Sequence, residues 1–78
     1  MNLLINGESR SSSAATLSAL VDELSMKPDR VAIELNREIV PRDRWSQTAL
    51  QEGDRLEIVH FVGGGAQRLM LELSKPVV

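Results

Sequence analysis

The chain contains no cysteine and no tyrosine, and only one tryptophan, one phenylalanine and one histidine among its 78 residues. Without cysteine there is no disulfide framework, no thiol nucleophile and no cysteine-ligated metal site. With Trp45 and Phe61 as the only aromatic side chains, a core must be built from aliphatic residues. Excess positive charge is lacking too. The formal net charge is −2, and residues 1–65 hold seven basic against ten acidic side chains, net −3. Such a surface repels phosphate backbones, so no nucleic acid is expected as a partner. No apolar run approaches the roughly 20 residues that span a bilayer, so no membrane partner is expected either. The opening "MNLLINGESR" has neither the basic region nor the apolar stretch of a signal peptide. The expected location is cytoplasmic. What the chain does have is 42% hydrophobic and 26% charged residues, ordinary for one small globular domain.

Hydrophobic spacing gives the elements in order. "NLLIN" is a short strand with Leu3 and Ile5 on one face and Leu4 on the other, ending at Gly7. The polar "ESRSSS" that follows suits a return strand at a sheet edge. In "TLSALVDEL", Leu17, Leu20, Val21 and Leu24 fall at i, i+3, i+4 and i+7, one apolar stripe of a helix. Thr16 or Ser13 is placed to cap its N-terminus, and Pro28 limits its continuation. "VAIEL" alternates again, with Val31, Ile33 and Leu35 on one face. "NRE" turns the chain into a short strand, "EIV", which stops at Pro41. "RDRWSQTAL" has no period and is expected to form irregular turns that bury Trp45 and Leu50. "EGD" is a turn, and "RLEIVHFV", Arg55 to Val62, is the strongest strand, rich in β-branched and aromatic residues. A hairpin, a helix and two or three further strands satisfy one another as an α+β domain: a mixed four- to five-stranded sheet covered on one face by one main helix. The connection through the helix is expected to return parallel to an early strand by a right-handed crossover.

The last strand runs into Gly63-Gly64-Gly65, and the upstream residues carry a resemblance. "INGE" at 5–8, "TLSALVDEL" at 16–24, "VAIELNREIVPRDRW" at 31–45 and "LQEGDRLEIVHFVGGG" at 50–65 resemble, in order and spacing, the ThiS-type sulfur carriers of thiamine (thiazole) biosynthesis. Those proteins are ubiquitin-like and have the β-grasp fold. The molybdopterin sulfur carriers share the fold and the terminal Gly-Gly, but "IVPR" followed by Trp45 looks more like the thiamine branch. The resemblance implies that the chain is a protein cosubstrate rather than an enzyme. It implies a domain over residues 1–65 whose last residue, Gly65, is the point of sulfur attachment, with Gly63 and Gly64 as a flexible arm. An adenylating, E1-like activating enzyme would use ATP to activate the Gly65 carboxylate; the carrier itself would bind no cofactor. Sulfur from a cysteine-desulfurase relay would leave a thiocarboxylate, which thiazole synthase would consume. Two alternatives stay open: a sulfur carrier for another pathway, such as molybdopterin or amino-acid biosynthesis, and a non-catalytic ubiquitin-like interaction module in which the glycines are a spacer.

Elementary chemistry is compatible with the first reading. A carboxylate is a poor electrophile, whereas an acyl adenylate has a good leaving group that a sulfur nucleophile can displace. None of this needs a side chain of the carrier; it needs a carboxylate on a thin arm. Glycine, lacking Cβ, lets a partner's walls close around the backbone. Four extended residues, Val62 to Gly65, reach about 13 Å beyond the sheet.

The sequence then departs from the family pattern by continuing with "AQRLMLELSKPVV", residues 66–78. As written, the Gly65 carbonyl belongs to a resonance-stabilised amide and cannot be adenylated. Three explanations are open: a processing protease cuts after Gly65, the extension docks on the domain or a second copy, or it is a disordered end without a role. Val59 and Phe61 are expected opposite the helix, beside Leu4 and leading into Val62; this apolar patch is the expected docking surface for partners. The remaining residues have bland readings. His60 has no second ligand at metal-binding spacing, so no metal is expected. Trp45 is a core anchor, Arg42, Asp43 and Arg44 lie in a solvated loop, and Ser11 to Ser13 have no base partner for nucleophilic catalysis.

Overall fold

The computed structural model describes residues 1–61. Its first strand, β1 (Asn2–Ile5), is joined to β2 (Glu8–Ser11) by a two-residue turn, and Ile5 pairs directly with Glu8. Asn6 and Gly7 both have positive φ, 50° and 84°. That is the tight turn whose twist matches antiparallel strands, and Asn-Gly is its favoured sequence. β2 is exposed along its whole length, as its lack of apolar residues demands.

The helix α1 (Leu17–Glu23) begins where a cap is available: the Thr16 hydroxyl accepts a hydrogen bond from the Ala19 backbone N–H at 3.2 Å. Leu17, Leu20 and Val21 of the stripe are buried, and Leu24 packs at the margin. After a single 3-10 turn (Pro28–Arg30), β3 (Val31–Leu35) turns through Asn36 and Arg37 into the two-residue β4 (Glu38–Ile39). Residues Arg42–Gln47, read from sequence as irregular, form a 3-10 helix. Its anchor is Trp45, buried, whose indole N–H donates to the Val40 carbonyl at 2.8 Å. The eclipsed i, i+3 geometry of a 3-10 helix leaves no amphipathic signature over six residues. The segment after it is tied to the start of α1: the Leu17 N–H donates to the Thr48 carbonyl and the Leu50 N–H to the Ala15 carbonyl.

β5 (Arg55–His60) completes one five-stranded sheet of order β2-β1-β5-β3-β4. The strand that returns parallel to β1 is β5, the last, with Ile5 beside Leu56; β3 lies on the far side of β5, antiparallel to it. The α1 face of the sheet and the helix stripe enclose the core, in which Leu3, Leu17, Leu20, Ile33, Leu56 and Ile58 are almost wholly removed from water. Each such aliphatic side chain stabilises the fold by about 1.5–3 kcal/mol relative to exposure. Among the described residues no helix is long and apolar enough to cross a membrane.

Candidate functional site

Alternation along β1, β3 and β5 gives the sheet a second face. With Leu3 and Ile5, Ile33, Leu56 and Ile58 committed to the core, the residues between them turn the other way. Leu4 lies beside Arg55 on β5, Ala32 opposite Val59, and Glu34 opposite Glu57. Leu4, Ala32, Glu34 and Val59 are half-buried, and no helix of the described residues covers them. Phe61 is half-buried at the end of the same strand, and its backbone N–H donates to the Arg30 carbonyl at 2.7 Å. This bond is the last tether of the chain to the sheet among the described residues.

Of the residues singled out from sequence, the structure therefore brings Leu4, Val59 and Phe61 to the open face, but only Val59 and Phe61 stand together. The parallel β1–β5 register puts Leu4 beside Arg55, at the opposite end of β5 from Phe61, so the expected single patch is split. Val62, Gly63, Gly64 and Gly65 lie outside the described residues, as does the extension 66–78. The strand leading to them is firmly held. β5 is paired on both sides, and beyond the end of β1 the Asn6 side chain takes over the ladder. Its Oδ1 accepts from the Ile58 N–H at 2.7 Å and its Nδ2 donates to the Ile58 carbonyl at 3.2 Å. An amide side chain thus does the work of one more residue of β1 on a strand that would otherwise lose its neighbour there.

Sequence reasoning missed several features. Ser12 is buried: its hydroxyl donates to Glu23 at 3.1 Å and accepts from the Ala14 N–H, tying the loop before α1 to the end of the helix. Lys27, Arg30 and His60, with Ser25 and Met26, line a depression of about 510 Å³ beside the end of β5. Ile39, 72% exposed, stands next to Glu34 on the open face. Strand register brings His60 beside the segment 25–30 and Ile39 beside Glu34, and no local spacing signals it. Asn36 had a readable signal, an Asn before a charged residue in a turn. Its side chain accepts from the Arg55 N–H and donates to Asp54, both at 3.0 Å, locking the β3–β4 turn to the start of β5. Among the described residues no group of three or more His, Cys, Asp or Glu side chains stands close enough to share a metal ion.

A family model described as "ThiS family" matches residues 3–65. Among characterised proteins, the chain is 49% identical over 69 residues to a thiazole synthase of Paramagnetospirillum magneticum, a match covering 87% of this chain and 21% of that protein. It spans about a fifth of that relative's length. It is 30% identical over 66 residues to the sulfur carrier protein ThiS of Escherichia coli, covering 83% of this chain and 100% of the relative. Among solved structures, the crystal structure of the thiamine biosynthesis protein ThiS from Geobacter metallireducens superposes with a TM-score of 0.70 at 32% identity. That match covers 83% of this chain and 100% of the other.

Proposed function

The chain belongs to the ThiS family, and from that premise we propose that it is a sulfur carrier protein of thiamine biosynthesis that works through the backbone carboxylate of Gly65. One observation carries the reading: the family match runs to Gly65 and stops there. Residues 66–78 follow in this sequence, so the carboxylate must first be set free by hydrolysis of the Gly65–Ala66 bond, the task of a processing protease. The carrier is then a cosubstrate. An oxygen of the freed carboxylate attacks the α-phosphorus of ATP on an adenylating E1-like enzyme, with pyrophosphate leaving. A persulfide sulfur from a cysteine-desulfurase relay next displaces AMP from the acyl carbon, giving an acyl disulfide; a thiol then attacks its outer sulfur, leaving as the disulfide and releasing the thiocarboxylate. The synthase that builds the thiazole ring takes up its sulfur.

The described residues suit this role by what they hold still. The core and the Asn6 bridge fix β5, so the strand that leads to Phe61 is a rigid base. Val59 and Phe61 offer an apolar surface at that base, on which a partner can rest while the arm reaches inward; Leu4, beside Arg55, is about 20 Å back along the strand. Thiazole synthase as the receiving partner is supported by the relative of that name, which contains a stretch resembling this chain. The location expected for such chemistry is the cytoplasm.

The experiment is mass analysis of the protein from its own host, followed by incubation of residues 1–65 with ATP, a sulfur donor and the cognate activating enzyme. The expected result is loss of residues 66–78 and exchange of one oxygen for sulfur at Gly65. A full-length mass in the host, with no thiocarboxylate formed from residues 1–65, overturns the reading. Deleting Gly64 and Gly65 should abolish thiocarboxylate formation while leaving the unfolding free energy within about 0.5 kcal/mol of the parent.

A further inference from the structure

Glu34 and Glu57 face each other directly across β3 and β5 on the open side of the sheet. Like charges in directly opposed positions destabilise a sheet. Among the described residues neither carboxylate has an ion-pair or hydrogen-bond partner that would offset this. Beside them Ile39 extends into solvent from β4, next to Glu34, while Ala32 and Val59 form the neighbouring cross-strand pair. Glu34, Glu57, Ile39, Ala32 and Val59 together line a small depression of about 130 Å³. It has apolar walls and two negative charges at one end. For the free domain this arrangement is unfavourable on both counts: it places two anions side by side and leaves an isoleucine in water.

The complementary object has an aliphatic stem and a cationic head. A lysine or arginine side chain is that object: its methylenes can lie along Ile39 and Val59 while its charge sits between the carboxylates. We infer that the depression receives an arginine or lysine side chain projecting from the thiazole synthase. This rests on the reading of the chain as a carrier whose arm enters that enzyme. The location supports the assignment. Glu57 is four residues before Phe61 on one strand, about 13 Å along it at strand rise. A partner burying a standard patch of about 800 Å² on the carrier, centred on the root of the arm, extends roughly 16 Å from that point. A synthase seated in this way on the open face covers the depression, and burying two unmatched carboxylates there without a cation would oppose docking.

The two roles, solvated surface and cation socket, differ in sign. Removing one carboxylate relieves the repulsion in the free domain in either case; only a socket loses binding. The test uses the carrier as isolated from its host, titrated into the thiazole synthase of the same organism by calorimetry at low and high salt, alongside thermal unfolding. Glu57→Gln should unfold at or above the parent's midpoint yet bind about tenfold more weakly, and Glu57→Lys more weakly still, with both deficits shrinking as salt screens the pair. Val59→Asp serves as the control for the face as a whole and should also weaken binding. If the two Glu57 variants bind like the parent while Val59→Asp does not, the face docks without a cation; the inference is overturned and the carrier reading stands. If all three bind like the parent, the inference and the docking role of this face both fall. If the parent itself does not bind the synthase, the partner assignment fails and the inference with it. A deficit seen only against the activating enzyme overturns the choice of synthase as the occupant.

Discussion

On one side of the sheet, Leu3, Ile5, Ile33, Leu56 and Ile58 are packed against α1 and almost dry; on the other side of the same strands, Leu4, Ala32, Glu34, Glu57 and Val59 remain in contact with water. The two sets alternate residue by residue, share one backbone and differ in what they do. The helix side supplies the folding free energy. The open side contributes little to it, and at Glu34–Glu57 it works against it. A small domain can afford such a surface only because the strands already have their partner on the other face. The division teaches that a domain of this size can place its stability on one face of a sheet and leave the other open, at a spacing of one residue.

The largest expected effect separates the two faces directly. Leu56→Ala should lower unfolding free energy by about 2–5 kcal/mol, most of what a domain this small has. On the other face of the same strand, three residues along, Val59→Ala should cost under about 1 kcal/mol while reducing sulfur transfer to thiazole. Denaturant titration of both proteins, with a transfer assay on the folded ones, breaks the comparison if their stability costs are equal. An intermediate effect comes from the residue at the rim of both faces. Asn6→Ala removes two hydrogen bonds to the Ile58 backbone, at 2.7 and 3.2 Å, and should cost about 1–3 kcal/mol. Hydrogen exchange should show faster exchange at the Ile58 amide; unchanged protection there would refute the bridging role. The smallest effect contrasts the two tight turns. Asn6-Gly7 places glycine at a φ of 84°, whereas Asn36-Arg37 places an arginine at a φ of 75°. Arg37→Gly should raise stability by about 0.5–1 kcal/mol, relief of left-handed strain exceeding the added chain entropy. A lower midpoint would mean that the Arg37 side chain contributes more than its backbone costs.

Much of the helix-covered face was legible in the sequence, because alternation in "NLLIN", "VAIEL" and "RLEIVHFV" and the stripe Leu17, Leu20, Val21 depend only on neighbours within one element. The Asn6–Gly7 turn was legible for the same reason. Trp45 was correctly expected in the core, but its 3-10 helix was not, since one short helix fixed by a single buried indole carries no repeat. Of the candidate site, the outward direction of Leu4, Val59 and Phe61 was read from alternation, but not that Leu4 lies beside Arg55, away from the other two, which the β1–β5 register decides. The Glu34–Glu57 pair was not, because 22 residues separate its members and only the β3–β5 register brings them together. Ser12 was taken as one of three equivalent serines. Its burial depends on Glu23 arriving at the end of the helix, a tertiary event.

The placement of β5 between β1 and β3 has a mechanical consequence. Interstrand bonds run across the strand axis, so a force pulling the chain from its carboxyl side loads them in shear, many at once, instead of peeling them off singly. A pull along β5 from the Phe61 side therefore meets the whole ladder to β3 before the strand can come away.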